Sequence, residues 1–272
     1  MEASGADSKT KRPTGRHVEF SLCKVYPHTL CAPHDMRRSL NCNNSQSIGQ
    51  VNHNFDSGES AYTQYRYFAQ YNLYIMKTLL IATHNQGKIR EYQQLLADLP
   101  FTVVSLNQLQ ITHDVDETGI TFAENAILKA TQYAQLAGVL TWADDSGLEI
   151  DALEGRPGVY SARYGGPGLS DKDRYELVLS ELKATSAPPW SARFRCVVAL
   201  AFPDGNVQTV EDTIEGEITD QPRGEHGFGY DPIFFLPTFN ATLAQVAPEI
   251  KNAISHRGKA ALKAKQLLAQ WR

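Results

Sequence analysis

Residues Arg193–Glu217 read RFRCVVALAFPDGNVQTVEDTIEGE. Two extended runs, Arg193–Phe202 and Val207–Glu217, flank the turn quartet Pro203-Asp204-Gly205-Asn206. Apolar residues, many of them β-branched, on either side of an Asp-Gly turn predict an antiparallel hairpin. Upstream of it, strand and helix patterns interleave, and interleaving alone would argue for an all-parallel sheet. The hairpin breaks that alternation, so the expected fold is α/β with a mixed sheet and flanking helices.

Working outward, Lys77–Thr83 is a short apolar strand pattern that ends in a polar loop. A helix follows over 88–99, with Ile89, Tyr92, Leu95, Leu96 and Leu99 on one face. Phe101–Leu106 reads as a strand and Asn107–Thr118 as an acidic loop. Thr121 and Glu124 have capping-box spacing, which starts a helix that Gly138 stops. Val139–Ala143 is a strand running into Asp144-Asp145-Ser146-Gly147, and Leu148–Leu153 is a further extended piece. Gly155–Gly168 is rich in Gly and Pro and is expected to be loop. Ser170 and Asp173 cap a helix that runs to Lys183. A glycine-rich loop over 224–229, a short strand over 233–236 and a helix over 256–271 with Ser255 as N-cap complete the pattern.

The 272 residues have ordinary globular composition, 42% hydrophobic and 21% charged. No apolar run reaches the roughly 18 residues of a membrane span, so a membrane partner is not expected. The net charge of −4 gives no general nucleic-acid footprint. The four cysteines form no CxxC pair, which favours a reducing, cytoplasmic setting. Residues 1–75 carry three of those cysteines and a net charge of +2, while the rest of the chain carries −6. That leading segment is rich in Asn, Ser and Gln and has no sustained period, so it is read as an irregular or disordered extension. Met76 directly precedes the first strand pattern and is read as the physiological start, with the upstream residues an extension or an over-called reading frame. The irregular spacing of Cys23, His28, Cys31, His34 and Cys42 is poor for a metal module. Residues 76–272 are the expected folded domain.

Four places in that domain could carry chemistry. The first strand-to-helix junction, Thr83-His84-Asn85-Gln86-Gly87-Lys88, offers backbone N–H groups, a helix N-terminus and a lysine, a suitable cradle for a phosphate tail. It is not a Walker A loop, since GxxxxGK[ST] is absent. Two acidic pairs, Asp116-Glu117 and Asp144-Asp145, come from separate segments, as carboxylates around Mg²⁺ usually do. Adjacent strand residues face opposite ways, so one aspartate of the second pair can face a metal while its neighbour does not. Solvated turn acids are the plainer account of Asp-Asp-Ser-Gly. Asn125 and Lys129 share a helix stripe outside the apolar arc, for which simple exposure is the plainer account.

The third place is Gly227-Phe228-Gly229-Tyr230-Asp231-Pro232, where two aromatics could stack on a base and Asp231 could read its edge. The fourth is Lys251 with Ser255-His256-Arg257, which puts cations in the first turn of a helix, where the dipole disfavours them unless an acceptor-rich ligand compensates. Cys196 lies in an apolar strand and is expected to be a buried small hydrophobe.

Read in order, these segments, together with Glu117-Thr118-Gly119-Ile120-Thr121-Phe122-Ala123-Glu124-Asn125-Ala126, Ala143–Leu148, Pro157–Tyr164 and Ser255-His256-Arg257-Gly258, closely resemble the noncanonical purine nucleoside triphosphate pyrophosphatase family, the inosine/xanthosine triphosphatases. The resemblance covers about 77–272 and does not reach into 1–75. It implies an elongated, two-lobed α/β fold of ITPase/Maf-like type around a central nucleotide cleft, and homodimers. It also implies Mg²⁺-dependent hydrolysis of ITP, dITP and XTP to the monophosphate and pyrophosphate. By the same resemblance Asp145 is the general base, and Asp116, Glu117, Asp144 and Asp145 are metal carboxylates. Thr83, His84, Asn85, Gln86, Gly87, Lys88, Lys129, Ser146, Phe228, Gly229, Tyr230, Asp231, Lys251, His256 and Arg257 fall at nucleotide-binding positions. Two rivals are a Maf-like pyrophosphatase of other modified nucleotides and a nucleotide-binding regulator without catalysis.

Overall fold

A computed structural model describes Arg66, residues 77–185 and residues 187–270. The expectations for residues 1–75, including the start at Met76 and the cysteine-histidine group, lie outside the described residues, as does the last residue expected of the C-terminal helix.

The elements run β1 (Thr78–Ile81), α1 (Gln86–Leu95), β2 (Thr102–Ser105), α2 (Phe122–Ala137), β3 (Leu140–Ile150), α3 (Asp171–Thr185), β4 (Trp190–Ala201), β5 (Val207–Ile218), β6 (Phe234–Leu236), β7 (Ala241–Thr242), α4 (Pro248–Ile254) and α5 (His256–Gln270). The seven strands form one sheet in the order β2-β1-β3-β4-β5-β6-β7. The pairs β1–β2 and β1–β3 are parallel, and every other pair is antiparallel. The hairpin expected from Arg193–Glu217 is β4–β5, so the sheet is mixed.

Buried apolar side chains form three groups. On one face of the β1 end, Leu79, Trp142, Val198 and Leu200 pack under α1 and α5 with Tyr92, Ala261 and Leu268. On the opposite face Leu80, Ala143, Val197 and Ala199 meet Phe122, Ala126, Ala130 and Tyr133 of α2. A third group joins the far part of β3, β4 and β5 to α3 and to the β6 region through Leu148, Phe194, Val178, Leu182 and Phe234.

Local sequence accounts for the caps. Thr121 Oγ1 accepts from Glu124 N at 3.1 Å while the Glu124 carboxylate accepts from Thr121 N, and Gly138 ends α2 in the left-handed region at φ 66°. Ser255 Oγ accepts from Gly258 N at 3.1 Å and caps α5 as expected. Four elements depart from the sequence reading. Helix α1 begins earlier, at Gln86, because Asn85 is its N-cap and accepts from Lys88 N at 3.1 Å. Strand β3 does not stop at Ala143 but continues through Asp144-Asp145-Ser146-Gly147 to Ile150. Its partner β4 pairs with it from Thr141↔Ala201 to Ile150↔Ala192, so ladder hydrogen bonds satisfy a backbone whose local chemistry favours a turn. Within the stretch expected to be loop, Gly158–Arg163 forms a 3₁₀ helix, and the short helix α4 has no counterpart in the sequence reading.

Candidate active site

The continuation of β3 sets the geometry of the site. Asp144 and Asp145 sit side by side in a fully paired strand and point to opposite faces of the sheet. Asp144 is buried on the α1/α5 face, where Lys88 Nζ stands 2.9 Å from its Oδ2, Ser146 Oγ donates to the same oxygen at 3.2 Å and an Arg257 nitrogen lies at 3.7 Å. Burial disfavours the charged form of Asp144, but the three cations Lys88, Arg257 and Lys129 outweigh it and hold the carboxyl well below the usual carboxylate range. Asp145 is buried on the α2 face. Asn125 Nδ2 donates to its Oδ2 at 3.1 Å, Ser146 N donates to its Oδ1 at 3.0 Å, and Lys129 Nζ lies 3.7 Å from Oδ1. Here burial prevails over Lys129 and Lys88, the nearby Glu117 charge adds to it, and the pKa of Asp145 is raised. Two adjacent carboxyls thus have opposite characters, one a fixed anion and one a stronger base. The turn-acid account of this pair is therefore corrected, since the sheet buries both.

Asn125 and Lys129 do not project into solvent as simple exposure would have it. Asn125 is fully buried, and Lys129 bridges Glu117 and Asp145. Both carboxylates converge on one cationic position. Glu117 is further held by Arg163, whose Nη1 donates to Oε2 at 2.9 Å. Among the described residues no group of three or more His, Cys, Asp or Glu side chains forms a self-contained metal cage. Two carboxylates are nevertheless the usual protein share for Mg²⁺ when phosphate and water complete its octahedron, so this donor set fits that ion in the company of a polyphosphate.

The expected base-binding segments meet on the other side. Glu91, on α1, accepts from Lys251 at 2.8 Å and from Arg257 at 2.7 Å. Lys251 also pairs with Asp231, and Arg257 donates to Ser146 Oγ at 2.8 Å. The compensation that two cations at the start of α5 would need from a ligand is thus met inside the protein, by Glu91 and Asp144 for Arg257. His256 avoids the problem by being neutral, because burial and then the Arg257 and Lys251 charges push its pKa well below the usual value. Its ring stacks on Phe194 at 4.7 Å between centroids. Phe228 lies under both Lys251 and Arg257, at 4.9 and 5.5 Å from its centroid. Tyr230 OH donates to the Ser161 carbonyl at 2.8 Å, and Asp231 accepts from Phe228 N at 2.8 Å and closes the loop on itself.

Most of these groups line one cleft of about 810 Å³, while Glu91 and Asn125 stand behind its wall. Of the residues expected at the site, Thr83, His84, Asn85, Lys88, Asp116, Glu117, Lys129, Asp145, Ser146, Phe228, Gly229, Tyr230, Asp231, Lys251, His256 and Arg257 all line it. Gln86, Gly87 and Asp144 do not. Gln86 is exposed, and Asp144 lies beneath the floor. Gly87 serves by its missing side chain, since a Cβ there would stand 2.6 Å from the Phe228 ring. Gly147 does the same in the floor, where a Cβ would lie 2.4 Å from the Gly158 carbonyl oxygen. Glu91 and Phe194 escaped the sequence reading, and Arg163 was seen only as part of the Pro157–Tyr164 motif. Glu91 sits among the polar positions of an amphipathic helix, and only its tertiary neighbours distinguish it.

A buried neutral histidine makes the fold acid-labile. A histidine whose native pKa is lowered contributes stability that is fully present above its ordinary value of 6.5 and is lost as pH falls below it. Glu91 and Asp144, with lowered pKa values, add losses below the ordinary carboxylate range. Thermal unfolding followed from pH 8 to 4 is expected to show Tm falling from about 6.5 downward, and His256→Phe is expected to flatten the upper part of that fall.

Residues 79–267 match the Ham1 family model. The chain belongs to the Ham1 family. Among its Ham1 relatives, a dITP/XTP pyrophosphatase of Bacillus subtilis (strain 168) is 48% identical over 194 residues, which is 71% of this chain and 98% of that one. A dITP/XTP pyrophosphatase of Geobacter sulfurreducens is 48% identical over 185 residues, 68% of this chain and 93% of that one. The solved structure of a Ham1 protein from Coxiella burnetii superposes with a TM-score of 0.66 at 42% identity, covering 72% of this chain and all of that one. The Ham1 protein of Staphylococcus aureus gives 0.63 at 42% identity, covering 71% and 98%. The Ham1 fold is therefore the mixed α/β sheet described above, and the family match coincides with the segment that builds the cleft.

Proposed function

We propose that this chain hydrolyses dITP, ITP and XTP to the nucleoside monophosphate and pyrophosphate in an Mg²⁺-dependent reaction, clearing noncanonical purines from the nucleotide pool. The observation that carries the reading is the single cleft that joins Asp145, the Lys88 cradle and the Phe228–Asp231 segment. Its relatives' names point the same way.

In this reading Lys88, Thr83 and the N-terminus of α1 hold the triphosphate tail. The base lies against Phe228 under the Lys251 and Arg257 cations. Asp145 accepts a proton from a water aligned on the α-phosphorus. The water oxygen bonds to that phosphorus, the bond to the bridging oxygen breaks, and pyrophosphate leaves. Asn125 fixes the orientation of Asp145 for that proton transfer. Glu117 and Asp145 would hold the Mg²⁺, whose charge offsets that of the phosphates.

Selection of a 6-oxo purine has a physical basis here. Arg257 and His256 line the cleft and can present an N–H donor to a base edge. A 6-oxo acceptor satisfies such a donor, whereas an adenine amino group leaves it unpaired at a cost of about 1–3 kcal/mol.

A homodimer in the cytoplasm completes the proposal. Cys196 is a buried free thiol whose pKa is pushed up to about 12 by burial. Among the described residues no helix is long and apolar enough to cross a membrane.

The test is a panel of ITP, XTP, dITP, GTP and ATP with and without Mg²⁺, with pyrophosphate and orthophosphate measured separately. Rapid Mg²⁺-dependent pyrophosphate release from ITP, dITP and XTP is expected. Turnover confined to modified pyrimidine nucleotides would favour the Maf-like rival, and binding without turnover the regulator. Orthophosphate as the only inorganic product would refute the cleavage site. A second expectation concerns Lys88→Ala. Loss of one charge-assisted phosphate contact, worth about 1.5–3 kcal/mol, should weaken ITP binding roughly ten- to a hundredfold while sparing inosine. Calorimetric titration of both ligands checks it, and equal losses would remove Lys88 from the phosphate cradle.

A further inference from the structure

The segment Pro157–Tyr164 contributes nothing to the mechanism above, yet it is pinned on several sides. Ser161 Oγ donates to the Gly158 carbonyl at 2.7 Å and accepts from Leu148 N of β3 at 2.9 Å. The Ser161 carbonyl accepts from Tyr230 OH at 2.8 Å. The 3₁₀ helix Gly158–Arg163 is thus tied at once to the strand that carries Asp145 and to the aromatic loop. Its last residue, Arg163, reaches across the cleft wall to Glu117.

Glu117 needs such a tie. It lies on a stretch without regular secondary structure between β2 and α2, and its side chain is partly exposed. No backbone ladder restrains it, so an unassisted carboxylate there would sample many rotamers. Arg163 Nη1 holds Oε2 at 2.9 Å, and Nη2 lies 3.5 Å from the Glu117 carbonyl oxygen, so one guanidinium grips both side chain and backbone. The other carboxylate oxygen, Oε1, is left to face Lys129 and, beyond it, Asp145.

We propose that Arg163 is a positioning residue for the divalent-cation site. It fixes Glu117 so that Oε1 and the Asp145 carboxylate converge on one cation. The inference rests on the Mg²⁺-dependent reading above. A planar guanidinium can hold a carboxylate edge and a carbonyl together, which a lysine ammonium does less well. Partners that orient metal ligands typically change metal affinity by about 10–100-fold when removed.

The experiment measures Mn²⁺ binding by electron paramagnetic resonance in the presence of α,β-methylene inosine triphosphate, which cannot be cleaved between its first two phosphorus atoms. Wild type, Arg163→Ala and Arg163→Lys are compared, with thermal unfolding to confirm that each is folded. Arg163→Ala is expected to bind Mn²⁺ about tenfold or more weakly, and the lysine variant to recover part of the loss. The Mg²⁺ concentration for half-maximal pyrophosphate release should rise in parallel, with kcat at saturating Mg²⁺ largely retained. Unchanged or tighter Mn²⁺ binding in folded Arg163→Ala would overturn the proposal. So would a loss of analogue affinity with metal affinity unmoved, which would mark Arg163 as a direct phosphate contact. Should Arg163→Ala fail to fold, the lysine variant decides alone, and wild-type Mn²⁺ affinity there would overturn the proposal. A wild-type protein that neither binds Mn²⁺ nor releases pyrophosphate would instead overturn the functional reading on which this one stands.

Discussion

Asp145→Asn is expected to abolish turnover while leaving the protein folded and nucleotide bound. Replacing the carboxylate removes the proton acceptor but keeps an oxygen that can face Asn125 Nδ2, now 3.1 Å from Oδ2. General-base catalysis is worth about 10²–10⁴-fold, and loss of a carboxylate beside the cation site adds to that, so kcat should fall by at least about a thousandfold. Stability should move the other way or not at all. A carboxylate whose native pKa is raised contributes most to stability in acid, and that contribution is lost as pH rises through the raised value. Asparagine, which has no charge to bury, removes that pH-dependent contribution. Pyrophosphate release, calorimetric binding of ITP and thermal unfolding at pH 7.5 together check this. Near-normal turnover would take the base role from Asp145, and a large fall in Tm would show that the carboxylate serves the fold instead.

The second large effect concerns a residue that touches neither phosphate nor water in the mechanism. Glu91→Ala should lower stability by about 3 kcal/mol, the lower end of the cost of breaking a buried ion pair. Glu91 sits between Lys251 and Arg257 at 2.8 and 2.7 Å, and both cations are almost fully buried. Without it Lys251 keeps Asp231, and Arg257 keeps Ser146 and a distant Asp144, which is why the estimate stays at the lower end. For a domain of this size, the loss corresponds to roughly 6–12 °C in Tm. Base affinity should fall with it, since the two cations over Phe228 lose their common anchor. The loss should shrink in acid. Burial works against the Glu91 charge, but Arg257 and Lys251 outweigh it and lower its pKa, so its contribution is present above the ordinary value of 4.5 and fades as pH falls. A Tm within a degree of wild type at pH 7.5 would show that Asp231, Ser146 and Asp144 suffice to hold the two cations and that Glu91 is dispensable.

These two residues also show how far linear reading reaches. Asp145 was legible, because a double acid after an apolar run has few uses and the ordered segments around it narrow them further. The resemblance assigned it the base role, but its raised pKa was not legible. Only burial, with Asn125 and Lys129 on one face and Lys88 with Arg257 on the other, separates it from Asp144. Glu91 was invisible, since one more charged residue on a helix surface carries no local mark. Arg163 was in view as part of Pro157–Tyr164, but its partner lies 46 residues away in sequence.

By itself, the sequence determined the β4–β5 hairpin, the capping box of α2, the Ser255 cap of α5 and the set of segments that form the cleft. Each depends on chemistry within a few residues, where periodicity, turn residues and caps act directly. Tertiary structure alone decided that Asp144-Asp145-Ser146-Gly147 is strand rather than turn, because β4 offers a full ladder that outweighs local preference. It likewise decided the charge states. A carboxyl or an imidazole takes its pKa from burial and from charges that the fold brings to within a few ångströms, and no spacing along the chain encodes those distances.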